Sequence, residues 1–145
     1  MELTVKHYKE LTTDELYDIY RLRAAVFVVE QNCPYLDIDD ADKLAYHLWL
    51  SDGDGIVAYA RVLPRGVKYD TVSIGRVISA RRGCGLGKMI VSFAVSVAKD
   101  KLNADSVTIS AQVYARGFYE KSGFVKVSDE YLEDGIPHIK MMLNL

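Results

Sequence analysis

Residues 71–102 read TVSIGRVISARRGCGLGKMIVSFAVSVAKDKL, and the period of their apolar residues changes halfway along. TVSIGRVIS, rich in β-branched side chains, suits a strand. Glycines at 83, 85 and 87 then interrupt the pattern, and Leu86, Ile90, Ala94, Val97 and Leu102 continue at helical spacing. A strand, a glycine turn and a helix in direct succession place several backbone N–H groups and the positive end of a helix dipole at one spot, which is how proteins hold phosphate groups.

Working outward, the N-terminal side begins with an alternating segment at Leu3, Val5 and His7, a short strand. Thr12 and Glu15 then form a capping box, opening a helix whose Leu16, Ile19, Arg23, Val26 and Phe27 share one face. The pattern stops near Gln31, and NCPYLDIDDAD (32–42) reads as a loop or a loose helical turn. AYHLWL and IVAYARVL, separated by SDGDG, predict an antiparallel hairpin. On the C-terminal side, VTISAQ from Val107 predicts a strand and ARGFYEKSGF a short helix closed at Gly123. FVKVSDEYL and IPHIKMML predict a closing hairpin around Glu133-Asp134-Gly135. The order β, α, β-β-β, α, β, α, β-β belongs to one mixed α/β domain.

Composition agrees. The 145 residues, half of them hydrophobic and 26% charged, match one globular domain able to bury a core. Eighteen basic against twenty acidic side chains leave a net charge of -2, which argues against a protein that lives on nucleic acid or anionic lipid. Cys33 and Cys84 show neither zinc-site spacing nor a disulfide framework, so no metal is expected and a reducing compartment fits. The N-terminus lacks a signal-peptide pattern, and no apolar run approaches the ~20 residues of a membrane span, so a soluble, cytoplasmic protein is expected.

Two common phosphate motifs fail on the glycine loop. A P-loop, GxxxxGK[ST], would need glycine at Arg82 and Ser or Thr at Met89; the dinucleotide fingerprint GxGxxG ends on Lys88 or on Ile90. What fits is Arg82-Gly83-Cys84-Gly85-Leu86-Gly87, which resembles the acyl-CoA pyrophosphate loop of the GCN5-related N-acetyltransferase (GNAT) superfamily. A second landmark lies downstream: Phe118-Tyr119-Glu120-Lys121-Ser122-Gly123-Phe124 is similar to the A-x-x-F-Y-x-x-x-G-F helix that GNAT members place beside the CoA sulfur. VFVVEQNCPYLDIDD (26–40), with DGIPHI (134–139), looks further like the ElaA-type subfamily.

The resemblance covers the whole chain. It implies one α/β domain of the α+β type over residues 1–145, with a mixed, mostly antiparallel twisted sheet flanked by helices. It also implies N-acetyl transfer from acetyl-CoA, as co-substrate, to a primary amine of a small molecule or peptide, by direct transfer in a ternary complex. Alternatives are a non-catalytic acyl-CoA-binding module and an acyltransferase to a non-amine acceptor; a monomer and a homodimer both fit. Carried over by residue, Val77, Ile78 and Ser79 offer strand backbone to the pantetheine arm, and one N–H, of Val77 or Ile78, meets the thioester carbonyl. Arg82, Gly83, Cys84, Gly85, Leu86, Gly87 and Lys88 wrap the pyrophosphate, and Tyr119 matches the family's general acid.

The physics of these residue types agrees: glycines allow close backbone approach, Arg81, Arg82 and Lys88 add positive charge, and a phenol can protonate a departing thiolate. Gln112 reads either as a partner for the pantetheine amide or an ordered water, or as a solvent-facing strand end. The base is open. TVSIGRVIS lacks the glutamate that many GNAT members use there, which leaves Glu30, His47 and His138, or a water chain. Asp37, Asp39, Asp40 and Asp42 do not match a calcium loop, because Ala41 and Asp42 stand where an acid and a glycine are required. They read either as a solvated loop or as an acceptor-site rim for cationic amines, opposite a positive end at Arg76, Arg81, Arg82 and Lys88.

Overall fold

The computed structural model describes residues 1–145. Strand β1 (Glu2–His7) leads through a 3-10 turn to helix α1 (Thr13–Arg23). Thr12 caps α1 as expected: its Oγ1 accepts from the Glu15 N–H, and the Glu15 carboxylate accepts from the Thr12 N–H. The helix runs on as a wider π-turn, Ala24–Glu30, a form common at functional sites. The segment after it is a loop ending in a 3-10 turn, Asp40–Leu44.

Next come β2 (Tyr46–Asp52), β3 (Gly55–Leu63), β4 (Val72–Ser79), α2 (Leu86–Leu102), β5 (Ser106–Gln112) and the short α3 (Arg116–Glu120). The chain closes with β6 (Val125–Lys126), β7 (Tyr131–Glu133) and β8 (Ile136–Asn144). They form one eight-stranded sheet, ordered β1-β2-β3-β4-β5-β8-β6, with β7 also on β8. Every pairing is antiparallel except β4 with β5.

One expected strand is two. FVKVSDEYL leaves the ladder after Val127, because the Ser128 hydroxyl accepts the Lys140 N–H at 2.8 Å in place of a backbone carbonyl. The chain rejoins β8 only at Tyr131.

Helix α2 packs its buried Ile90, Val91, Ala94, Val97 and Ala98 on one sheet face, against Leu48, Ala58, Ala60, Val62 and Ile74. Ile19 of α1 packs on the other face with Trp49, Tyr59 and Ile78. Ile74 and Ile78 therefore face opposite ways although strand alternation would put both on one side. A bulge causes this: Arg61 opposes Gly75 and Tyr59 opposes Ile78, so Arg76 and Val77 together face Ala60. Arg76 takes the extra turn with φ of 52°, a left-handed conformation unusual for a side chain of its size.

The aspartate loop is neither a solvated loop nor an acceptor rim. Asp42 is fully buried and Asp37 is 5% exposed, both locked to arginines from three elements. Arg23, at the end of α1, meets Asp42 through both terminal nitrogens (2.7 and 3.1 Å) and Asp37 through Nε (2.9 Å). Arg61 of β3 pairs with Asp39 at 2.6 Å and Asp42 at 2.9 Å. Arg76 lies 2.7 Å from Asp37, so it braces the bulge and contributes nothing to the glycine loop. Asp39 keeps part of its side chain exposed, and Asp40 is exposed with no arginine partner.

Candidate active site

Strands β4 and β5 touch only at their starts, Val72 to Val107 and Ser73 to Thr108. Beyond Ser73 they diverge, and the edge of β4 from Ile74 to Ser79 has no ladder partner on that side, so its backbone donors and acceptors open into a V-shaped cleft. The bulge at Arg76 re-aims this edge. The cleft, about 920 Å³, is walled by β4, the end of β5, the π-turn, α3 and the tip of the β7-β8 hairpin.

At one end stands the glycine loop. Gly83 and Gly85 have φ of 76° and 71°, conformations that favour glycine. A Cβ on Gly87 would lie 3.2 Å from the Phe118 ring, so this glycine lets α2 and α3 approach. Gly85 caps α2 without a side chain, and the first turn carries no acidic residue, leaving its N–H groups and dipole available to an anion. Arg82 lines the cleft, and Lys88 is exposed on the first turn of α2. Arg81 turns away and pairs with Asp52. Leu86 is buried in the core, so only its backbone faces the loop. The residues present fit a CoA pyrophosphate: open space above Gly83 and Gly85, bare helix donors, and flanking cations.

Beside the loop, Tyr119 lines the cleft from α3, its ring held edge-on by Phe118 (5.0 Å) and Phe124 (5.8 Å). Burial, with a smaller contribution from Tyr114, pushes its phenol up to about 12. The group stays protonated, as a donor must. A thiol titrates near ~8.5, so such a phenol can donate a hydrogen bond to a thiolate but gives its proton up less readily than an ordinary phenol.

The expected base residues separate. His47 is outside the cleft: it is fully buried, with Nε2 2.9 Å from the Asp42 carbonyl and Nδ1 2.7 Å from the Tyr59 hydroxyl. Burial, only partly opposed by Asp42, lowers its pKa, and both ring nitrogens are engaged. Glu30 lines the cleft from the exposed end of the π-turn. His138 lines it from β8, paired across the ladder with Gln112. Its Nδ1 donates to the Ile136 carbonyl at 2.7 Å, and its Nε2 lies 3.3 Å from a Glu133 carboxylate oxygen, so a proton taken up at Nε2 is held by Glu133. Gln112 donates across the cleft to Gln31, the residue that follows the π-turn (3.4 Å).

The cleft thus gathers Val77, Ile78, Ser79, Arg82, Gly87, Gln112, Tyr119, Glu30 and His138, with Gly83, Cys84, Gly85 and Lys88 on the loop outside its wall. It adds Ser110, Glu133 and Lys68, which the reading of the sequence passed over. Ser110 was the findable one, since it shares a strand face with Gln112.

The GNAT acetyltransferase domain model matches residues 15–145. The chain belongs to the GNAT family. Within it, Escherichia coli ElaA is 42% identical over 139 residues, covering 93% of this chain and 91% of ElaA. The crystal structure of Escherichia coli ElaA superposes with a TM-score of 0.91 at 39% identity, covering 99% of both chains. An acyl-CoA N-acyltransferase from Pseudomonas aeruginosa does so with the same score, identity and coverage. This is therefore an ElaA-like GNAT domain, whose family transfers acyl groups from CoA. The acyl-homoserine lactone synthase BjaI, solved with isopentyl-CoA, shares the fold alone, with a TM-score of 0.79 at 17% identity, over 98% of this chain and 82% of BjaI. No helix of this GNAT domain is long and apolar enough to cross a membrane.

Proposed function

We propose that the protein transfers an acetyl group from acetyl-CoA to a primary amine by direct attack within a ternary complex. The observation that carries this reading is the β4-β5 divergence, which sets unpaired β4 backbone, the glycine loop and Tyr119 around one cleft.

The Arg82–Lys88 backbone, with the Arg82 and Lys88 side chains, holds the pyrophosphate; Val77, Ile78 and Ser79 bind the pantetheine arm as a strand would. A β4 N–H at Val77 or Ile78 polarises the thioester carbonyl. Tyr119 donates to the sulfur as it leaves. On the acceptor side His138 Nε2 takes the amine proton, its other nitrogen being fixed by Ile136. Glu30, exposed at the end of the π-turn, passes the released proton to solvent. The free thiols Cys33 and Cys84 agree with a cytoplasmic setting.

The test is CoA-thiol release from acetyl-CoA across polyamines, amino acids, aminoglycosides and peptides, with hydroxyl acceptors as controls. Amine-dependent release is expected. Release with hydroxyl compounds alone, or acetyl-CoA binding without turnover on any acceptor, would replace this reading.

A further inference from the structure

Among the side chains lining the cleft, Lys68 alone is a primary amine. It comes from the loop between β3 and β4, and its Nζ lies 3.5 Å from a carboxylate oxygen of Glu133. The other Glu133 oxygen faces Ser110 and His138 Nε2, each at 3.3 Å. Ser110 is held in turn by the Tyr131 hydroxyl, and the Tyr131 ring stacks on His138. A part-exposed Lys-Glu pair contributes little stability, so packing does not account for this constellation. Chemically, it is an ammonium held by a carboxylate whose other oxygen meets an imidazole nitrogen, in the cleft where the proposed reaction consumes an amine.

We propose that Lys68 is acetylated by the protein's own active site, with Glu133 as the subsite that seats the ammonium of an amine acceptor. The inference rests on the amine-transfer reading above. One ammonium proton passes to His138 Nε2 and on to water. The Nζ lone pair then forms the N–C bond while the C–S bond breaks, and the second proton released from nitrogen ends on the CoA sulfur. The products are acetyl-Lys68 and free CoA. Acetylation removes the Lys68 charge and frees the Glu133 carboxylate, so the same subsite takes cationic amines from solution.

Incubation of the full chain with acetyl-CoA, followed by peptide mass mapping over time, tests this. Lys68 should be labelled at least about 10-fold faster than the exposed Lys99 and Lys101, at a rate independent of protein concentration, as expected for a reaction within one chain. Glu133→Gln should slow Lys68 labelling about 10-fold while leaving the Kd for acetyl-CoA unchanged, and Tyr119→Phe should slow it as well. Equal labelling of Lys68 and Lys99, or an undiminished rate in Tyr119→Phe, would overturn the proposal. Release of CoA on free amines without selective Lys68 labelling defeats this inference alone; failure to bind acetyl-CoA defeats the function reading with it.

Discussion

Replacing Asp42 by alanine should cost about 3 kcal/mol of folding stability, because it takes one of two carboxylate partners from each of two buried guanidinium groups, leaving Arg23 with Asp37 and Arg61 with the part-exposed Asp39. Arg23 has no exposed surface to which its charge could turn. The loss should appear as a lower urea midpoint at unchanged slope; a loss under about 1 kcal/mol would show that other groups hold the arginines. The same network sets the acid limit. Burial alone would raise the Asp42 pKa, but hydrogen bonds and charge from Arg23, then Arg61, outweigh it and hold the folded carboxyl below its ordinary value. A lowered folded pKa means that the contribution is complete above the unfolded value of ~3.9 and is lost as pH falls through the folded one. His47 acts earlier and in the same direction: burial keeps its folded imidazole neutral while the unfolded one gains a proton below ~6.5. Thermal midpoints should therefore be level above about pH 7, decline below ~6.5 and fall more steeply below ~4. A constant midpoint between about pH 7 and pH 5 would contradict the assignment of His47 as neutral.

Tyr119→Phe should lower kcat about 100-fold and leave the KM for acetyl-CoA within about twofold. The hydroxyl is the only difference, and the ring keeps its contacts with Phe118 and Phe124, so the fold should persist. Because burial already makes full proton loss from the phenol difficult, the effect should be nearly flat between about pH 6 and pH 9. A variant retaining more than about half of the wild-type kcat would remove Tyr119 from the chemistry.

Much of this was legible where local physics acts alone. The strand-glycine-helix run at residues 71–102, the Thr12 capping box and the hairpin across SDGDG each depend on neighbours in the chain, and each is present, the hairpin turning on Gly53-Asp54. Three features were not legible. The aspartates of residues 37–42 look solvated in one dimension, because their partners Arg23, Arg61 and Arg76 come from three separate elements. The bulge at Arg76 needs a left-handed residue where no glycine signals it, and the cost is met by the Asp37 clamp and the Tyr35 ring beside it. The acceptor side depends on which strands lie adjacent: Ser110, Gln112 and His138 share one face only because β8 returns beside β5. Arg23 on the apolar face of α1 was the available hint that buried acids must lie nearby.

The central claim, that the opening between β4 and β5 is an acyl-CoA site anchored by the glycine loop, is tested most directly by isothermal titration of the protein with acetyl-CoA. One site per chain is expected, with an affinity lowered about 10-fold by Arg82→Ala, consistent with loss of one charge-assisted phosphate contact. Folded wild-type protein that gives no binding heat, or Arg82→Ala with undiminished affinity, would contradict it.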